Sequence, residues 1–268
     1  MTVPAYRAKK RLGQNFLRSK AIVDRVLGLV APGKNDTVVE IGPGRGALTV
    51  PLAESGAAVW AVEFDRDLML YLSALLASYP NVRLINGDFL DFDPTAEKLD
   101  RFKLVGNLPY NITSPVLDWC VRYRERVECV VLMVQRELGA RIAGSPGSKD
   151  WSPLSIFIQS VFRVEKCFDV APSHFTPAPK VTSTVLRLTP YPEPLVPDSA
   201  LFEKVVRASF QHRRKLLVNN LVPEIIPDGI TAAEVLCAVG LGGKTRAEEV
   251  TIEQFLRLTT ELVERKLM

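Results

Sequence analysis

Several features that mark common protein classes are scarce or missing in this chain of 268 residues. It has only two histidines, and its four cysteines include no C-x-x-C pair, so the composition argues against a multi-histidine metal enzyme, a zinc site and a disulfide framework. No apolar run approaches the roughly 18 residues that span a membrane, and the first residues lack the apolar core of a signal peptide. We therefore expect a globular protein of the cytoplasm, with reduced thiols and no bound metal.

Basic charge is concentrated in two short segments, although the net charge is only +4. Residues 1–20 carry six basic side chains and no acid, and residues 201–220 carry five against one acid, so the rest of the chain is acidic overall. Two basic segments on an acidic body favour an anionic partner that is met at defined places. A run of basic residues can also be a solvated face, and that reading stays open for each segment alone.

Short apolar strands alternate with amphipathic helices up to about residue 190. The predicted strands are residues 37–41, 57–62, 82–85, 102–105 and 129–134, and the predicted helices are residues 19–30, 48–55, 66–78 and 114–123. This alternation is typical of βαβ units and predicts a mainly parallel sheet.

A proline-rich segment separates this region from the rest of the chain. Residues 191–198 read as a stiff linker between a first domain, residues 1–190, and a second domain, residues 199–268. Three capping-box patterns follow the linker: Thr231 with Glu234, Thr245 with Glu248, and Thr251 with Gln254. The second domain is therefore predicted to be small and helical.

A glycine-rich turn follows the first predicted parallel strand. Gly42, Gly44 and Gly46 stand where a strand turns into a helix, which lets a ligand approach the backbone closely. The sequence pattern, G-x-G-x-x-A, also fits a dinucleotide-binding loop, so a nicotinamide-linked oxidoreductase is an alternative at this point.

Acidic residues at the ends of the next strands narrow the choice of ligand. Glu63 ends the second strand and is placed to accept both ribose hydroxyls of a nucleoside, and Asp88 with Phe89 can bind an adenine amino group and its ring. Glu40 lies just before the glycine turn, and we expect its negative charge to disfavour a pyrophosphate. A cationic nucleoside without phosphate, S-adenosylmethionine, fits such a pocket better.

The fourth strand ends in a loop that suits methyl transfer to a planar nitrogen. The side-chain oxygen of Asn107 and a main-chain carbonyl near Leu108 can accept both N–H bonds of an adenine amino group. Pro109 shapes this loop, and Tyr110 can stack on the base. Such a loop specifies a planar amino nitrogen and leaves the polymer that carries it open.

Taken together, these motifs resemble those of the ribosomal RNA adenine dimethyltransferases. Among them the chain is most similar to the kasugamycin-resistance family, the 16S rRNA adenine N6,N6-dimethyltransferases of the small subunit. The segments that carry the resemblance are residues 12–17 (LGQNFL), 39–44 (VEIGPG), 106–112 (GNLPYNI), 175–181 (FTPAPKV) and 210–215 (FQHRRK). One departure is Trp151-Ser152-Pro153, where the family commonly has Tyr-Gly before the Leu-Ser of a next strand.

The resemblance implies a Rossmann-like class I S-adenosylmethionine-dependent methyltransferase sheet (α/β) with a small C-terminal helical domain. It implies dimethylation of N6 on two adjacent adenosines in the 3′-terminal hairpin of 16S rRNA, within the immature small subunit. Tyr110 and Phe175 would hold the target adenine between them, and residues 14–17 would close over the cofactor. The implied cofactor residues are Asn15, Leu17, Gly42, Glu63, Asp88 and Asn107, to which the glycine turn and the third strand add Gly44 and Phe89.

The resemblance also implies that the anionic partner of the two basic segments is rRNA. Their expected contacts with rRNA phosphates would come from Lys9, Lys10, Arg11, Arg213, Arg214 and Lys215. We expect a monomer, since no self-association surface is evident in the sequence. Two alternatives remain at this point: a 23S rRNA adenine methyltransferase of the macrolide-resistance type, and an RNA-binding assembly factor in which catalysis is secondary.

Overall fold

The computed structural model of the chain describes residues 6, 8–9, 12–109, 112–196 and 200–267. Its strands are β1 (Phe16–Leu17), β2 (Thr37–Ile41), β3 (Ala58–Glu63), β4 (Val82–Asn86), β5 (Phe102–Asn107), β6 (Val127–Gln135), β7 (Phe162–Val170), β8 (Phe175–Thr176) and β9 (Ser183–Pro190). Its α-helices are α1 (Lys20–Val30), α2 (Thr49–Glu54), α3 (Arg66–Leu75), α4 (Thr113–Arg122), α5 (Arg136–Ile142), α6 (Pro153–Gln159), α7 (Ala200–Ser209), α8 (Leu217–Glu224), α9 (Gly229–Ala238) and α10 (Ile252–Glu264).

Seven of these strands form one sheet in the order β4-β3-β2-β5-β6-β9-β7. The pairs among β4, β3, β2, β5 and β6 are parallel, as the sequence predicted, whereas β9 pairs antiparallel with β6. β1 and β8 form a separate antiparallel pair, which joins the chain near its start to a segment far along it.

The central strands are apolar because both faces of the sheet are covered. Val38, Val39 and Ile41 of β2 are all almost fully buried, and β-branched residues of this kind suit a pleated strand between helical layers. Helix α1 contacts β6, and helix α2 contacts β3. Val26 of α1 and Val131 of β6 belong to the same apolar cluster, which fixes α1 against the sheet.

Contacts divide the chain into two compact units, Met1–Gly139 with Val164–Pro190, and Ala140–Arg163 with Tyr191–Met268. The domain limits drawn from the sequence, 1–190 and 199–268, differ for residues 140–163, because Trp151 and Ile156 are buried in the apolar cluster of the second unit. Within the linker predicted at 191–198, Leu195 donates its N–H to the Ser160 carbonyl at 2.7 Å. Pro197 and Asp198 of that linker lie outside the described residues.

The second unit is helical after residue 199, and its segment 151–159 corrects one prediction. Leu154 and Ser155 belong to helix α6, not to a strand. Ser152 begins this helix with a capping box to Ser155, and Pro153 occupies its first turn, where a missing N–H is harmless. The Trp151 indole donates to the Val250 carbonyl at 2.9 Å, so the unusual Trp-Ser-Pro sequence joins α6 to the helical core.

Of the three predicted capping boxes, the structure confirms only that of Thr251 with Gln254, at the start of α10. The prediction for Thr231 is wrong because Asp228 caps α9 and accepts the N–H of Thr231 at 2.8 Å. The prediction for Thr245 is shifted by one residue, since Arg246 and Glu249 form the box of a short 3₁₀ helix, Ala247–Glu249.

Candidate cofactor and target-base site

The carboxyl ends of the parallel strands meet at one edge of the sheet. Strands β3 and β4 lie on one side of β2, and β5 and β6 lie on its other side, so the strand order reverses at β2 and a crevice opens at this point. A cavity of about 250 Å³ occupies the crevice. The predicted site residues that line it are Asn15, Gly42, Gly44, Glu63, Asp88, Phe89, Asn107, Leu108, Pro109 and Phe175.

The glycine turn forms one wall of the cavity. Gly42 has a φ of 62°, and a Cβ built on it would meet no protein atom within 4 Å, so the missing side chain leaves open space for a ligand. A Cβ on Gly44, which has a φ of 58°, would lie 2.9 Å from the Phe16 ring. Side chains at these two positions would therefore be strained, and one would collide with the segment that covers the turn.

Glu63 is fixed by the backbone around it. Its two carboxylate oxygens accept the N–H of Gly44 at 3.1 Å and the N–H of Asp65 at 2.8 Å. The side chain is 5% exposed, and this burial raises the pKa of Glu63 above its usual value. Because a carboxylate oxygen can accept more than one hydrogen bond, both oxygens can still receive ribose hydroxyls from the cavity.

Asp88 and Phe89 form the end of the cavity beside β4. Asp88 accepts the Leu90 N–H at 2.9 Å and so begins the short 3₁₀ helix Phe89–Asp91. The Phe89 ring is buried and lies 4.6 Å, centroid to centroid, from the Trp119 ring. The indole of Trp119 is in turn held by its bond to the Phe92 carbonyl at 2.9 Å, so Phe89 presents a rigid apolar surface to the cavity.

Phe64 is an exposed aromatic residue of the cavity that was not predicted from the sequence. Phe64 follows Glu63 directly, lines the cavity and is 59% exposed. An aromatic ring left this open beside a nucleoside-sized cavity is suited to packing on a flat base. The sequence feature that could have identified Phe64 is its position immediately after Glu63, the predicted ribose-binding acid at the end of a strand.

The side-chain amide of Asn107 is oriented by the N-terminal segment. Its Nδ2 donates to the main-chain carbonyl of Asn15 at 2.9 Å, which leaves Oδ1 as the acceptor that is free for a substrate. The Leu108 N–H donates to the Met133 carbonyl at 3.1 Å and fixes the loop to β6. Tyr110 lies outside the described residues, so its predicted stacking on the base stays a prediction.

Residues 12–17, which we call the N-terminal strap, cover the cavity. Leu12 to Phe16 all line it, whereas Leu17 does not: its side chain is buried in the core cluster with Ile22. β1 of the strap pairs with β8, with Leu17 opposite Phe175. This pairing brings Phe175, predicted from a distant motif, to the wall of the cavity near Asn107.

The prediction that Glu40 supplies negative charge to the ligand is wrong. Glu40 is 2% exposed and does not line the cavity. Burial raises the pKa of Glu40 from 4.5 to about 8, helped by repulsion from Glu63, so the carboxyl is mainly protonated at neutral pH. Its Oε2 has no hydrogen-bond partner among the described residues.

The basic residues predicted to contact RNA differ in their surroundings. Lys9 is not free, because its Nζ lies 2.6 Å from Asp65 and 2.7 Å from Asp67. Lys10 and Arg11 lie outside the described residues. The predicted phosphate contacts of Lys9, Lys10 and Arg11 stay a prediction.

The second basic group lies in the turn between α7 and α8. Arg213, Arg214 and Lys215 are all exposed. Arg213 donates to the main-chain carbonyl of Lys149 at 2.6 Å, so it also supports the local fold. Arg214 and Lys215 therefore offer the more independent charges for a phosphate backbone.

The described part of the chain has neither a metal-binding cluster nor a membrane-spanning helix. Between residues 6 and 267, leaving out the undescribed positions, no cluster of three or more His, Cys, Asp and Glu side chains could hold a metal ion. Over the same residues, no helix is both long and apolar enough to cross a membrane.

Comparison with known proteins gives this geometry its context. The family model for ribosomal RNA adenine dimethylase matches residues 5–264. The chain is 40% identical over 265 residues to Ribosomal RNA small subunit methyltransferase A of Pseudomonas syringae pv. syringae, covering 97% of this chain and 96% of that protein. The identity to the protein of the same name from Pseudomonas aeruginosa is 40% over 263 residues, with the same coverage of both chains.

Two solved structures resemble the fold over almost its whole length. The 23S rRNA methyltransferase ErmE is 30% identical, with a TM-score of 0.76, covering 93% of this chain and 100% of that one. A dimethyladenosine transferase from Plasmodium falciparum is 23% identical, with a TM-score of 0.81, covering 94% and 98%.

Proposed function

This chain belongs to the ribosomal RNA adenine dimethylase family, and from that premise we propose that it dimethylates N6 of two adjacent adenosines in the 3′-terminal hairpin of 16S rRNA. It is an S-adenosylmethionine-dependent rRNA adenine N6,N6-dimethyltransferase with a Rossmann-like class I sheet and C-terminal helices. The observation that carries the detailed proposal is the Asn107 amide, which leaves its Oδ1 as an acceptor beside the cavity at the end of β5.

The residues of the cavity fit the cofactor. Gly42 leaves open space where a side chain would intrude, and Glu63 is held with both oxygens in place to receive ribose hydroxyls. Phe64 and Phe89 offer apolar surfaces for an adenine ring, and Asp88 offers a carboxylate for its amino group. When bound, S-adenosylmethionine supplies a methyl group that its positively charged sulfur makes electrophilic.

Asn107 then acts on the target nitrogen. Its Oδ1 accepts one N6–H, and the carbonyl of the adjoining loop near Leu108 accepts the second, which favours a pyramidal nitrogen with its lone pair directed into the cavity. Phe175 packs against the extruded base, and Tyr110 is proposed to cover its other face. The residues of the site thus work by positioning and hydrogen bonding.

The similarity to known enzymes favours the small ribosomal subunit over 23S rRNA as the substrate. The chain is 40% identical to small-subunit enzymes and 30% identical to the 23S enzyme, with near-complete coverage of each. We propose that it acts in the cytoplasm as a monomer on the immature small subunit. Its exposed Arg214 and Lys215 supply sequence-independent phosphate contacts, so the choice of adenosines comes from RNA shape.

The test is transfer of labelled methyl groups from S-adenosylmethionine to small subunits that lack dimethyladenosine, with free 23S rRNA in parallel. We expect four methyl groups per small subunit, on two adjacent adenosines, and none with the Asn107→Ala variant. Label in 23S rRNA would move the protein to the macrolide-resistance type. If Asn107→Ala still binds subunits and supports their assembly normally, the assembly-factor role is the larger one.

A further inference from the structure

Asp65 is a buried carboxylate that ties the N-terminal strap to the cofactor side of the sheet. It is 4% exposed and follows Glu63 by two residues, at the start of helix α3. It receives hydrogen bonds from Tyr6 Oη at 2.5 Å, Lys9 Nζ at 2.6 Å and Gln14 Nε2 at 3.0 Å. One carboxylate therefore binds three side chains that precede or belong to the strap.

These bonds also order the strap internally. Gln14 Oε1 accepts the main-chain N–H of Lys9 at 2.8 Å, and Gln14 Nε2 donates to Asp65, so Gln14 is held from both ends of its amide. The Tyr6 hydroxyl, whose single proton is donated to Asp65, also lies 2.7 Å from Gln14 Oε1. The Tyr6 ring packs edge-on against Phe16, at 5.9 Å between centroids. The position of Asn15, between Gln14 and Phe16, is thus set by contacts that converge on Asp65.

Asn15 in turn determines which atom Asn107 presents to the target base. The carbonyl of Asn15 accepts a hydrogen bond from Asn107 Nδ2 at 2.9 Å, so Oδ1 is the atom left for the target amino group. In the flipped orientation, the NH₂ of Asn107 would face the N–H bonds of the adenine amino group, and two donors do not bond to each other. The strap therefore selects the productive orientation of the amide.

We propose that Asp65 is a positioning residue for methyl transfer, which acts by holding the strap so that the Asn15 carbonyl orients the Asn107 amide. This inference rests on the proposed role of Asn107 in binding the target nitrogen. It also assigns a role to Lys9, which precedes the strap and forms ion pairs with Asp65 and with the exposed Asp67.

A purely structural role for Asp65 is the competing explanation, because its Oδ1 also accepts the Asp67 N–H at 3.1 Å and caps α3. The Asp65→Asn variant separates the two, since asparagine is also a good N-cap but lacks the negative charge that holds Lys9. Tyr6→Phe is a second variant, which keeps the ring against Phe16 and removes only the hydroxyl. Asp67→Asn is the matched control, because it removes the outer partner of Lys9 and leaves Asp65 intact.

The first measurement is kcat for methyl transfer to small subunits, in a double-mutant cycle with Asn107→Asp. A carboxylate has two acceptor oxygens and no NH₂, so it needs no orientation by the Asn15 carbonyl. We expect Asp65→Asn to lower kcat at least tenfold when residue 107 is asparagine and less than twofold when it is aspartate. Tyr6→Phe should lower kcat about threefold, and Asp67→Asn should change it by less than twofold, all with melting temperatures close to that of the parent.

The second measurement does not depend on activity. The side-chain ¹⁵N–¹H signal of Asn107 is assigned by its loss in Asn107→Asp, and its exchange with solvent is compared among the variants. We expect faster exchange in Asp65→Asn and no change in Asp67→Asn. Equal loss of kcat in both backgrounds of the cycle, or an unchanged Asn107 signal in Asp65→Asn, overturns the inference. Failure of the parent protein to methylate small subunits would instead contradict the proposed function.

Discussion

At the scale of single residues, the surroundings of each carboxyl group decide whether it carries charge. Glu40 and Asp65 are both almost completely buried. Burial raises the pKa of Glu40 to about 8. Burial would raise the pKa of Asp65 as well, but hydrogen bonds from Lys9, Tyr6, Gln14 and the backbone lower it to about 2. The side-chain donors to Asp65 lie more than fifty positions away in the chain, which is why the sequence did not distinguish the two acids.

The protonated state of Glu40 predicts how stability changes with pH. Because its pKa is higher in the folded protein than the ordinary 4.5, its contribution to stability is complete below that value and is lost as pH rises through about 8. We expect Glu40→Gln to remove this loss, on the order of a few kcal/mol, and to be more stable than the parent at pH 8.5. Urea unfolding at several pH values measures this, and a parallel decline in both proteins would contradict it.

Glu63 predicts a direct effect on the cofactor. Glu63→Ala should weaken S-adenosylmethionine binding at least tenfold, since hydrogen bonds to a charged group are worth about 1.5–3 kcal/mol. Glu63→Gln, which keeps the size and one acceptor oxygen, should lose less. Calorimetric titration of folded protein gives both affinities, with Glu54→Ala, an exposed acid at the end of α2, as the control. Equal affinity in parent and Glu63→Ala would show that the ribose assignment is wrong.

At the scale of secondary structure, the parallel strands and their helices were predictable because local pattern and burial agree. The runs that became β2, β3 and β6 are rich in valine and buried, and each is followed by a helix. Helix α6 was not predicted because residues 154–158 form a run too short to show the spacing of apolar residues that marks a helix. Only the N-cap at Ser152 identifies it as helical. The pairing of β1 with β8 joins residues about 160 positions apart, which no local pattern encodes.

The capping sites offer a prediction with an internal control. The Thr251 hydroxyl accepts the Gln254 N–H at 3.1 Å at the start of α10, whereas the cap of the neighbouring 3₁₀ helix belongs to Arg246 rather than Thr245. We expect Thr251→Ala to lower the free energy of unfolding by about 1 kcal/mol, the usual worth of an N-cap. Thr245→Ala should lower it by less than about half of that. Denaturant unfolding of the two variants decides the matter, and equal losses would contradict the assigned caps.

At the scale of the whole molecule, the site is assembled from segments scattered over most of the first unit. The glycine turn, Glu63, Asp88 and Asn107 were predictable because parallel strands bring their carboxyl ends to one edge. The role of Asp65 was not, since it depends on the strap folding back over that edge. The sequence thus predicted which strand ends come together and that residues 14–17 cover them, and it missed the carboxylate of Asp65 that holds these residues in place.

The concentration of basic charge predicts how RNA binding responds to salt. Arg214 and Lys215 are exposed in the turn between α7 and α8, so each should contribute one phosphate contact without a structural role. Alanine at either position should weaken binding to small subunits and reduce the slope of log affinity against log salt by about 1. Arg257→Ala is the control, because Arg257 is an exposed cation of the same unit whose Nη2 lies 2.6 Å from Glu253. Binding measured over a series of KCl concentrations gives the slopes, and if both alanine variants keep the parent slope, this basic turn is a solvated face and the RNA contacts lie elsewhere.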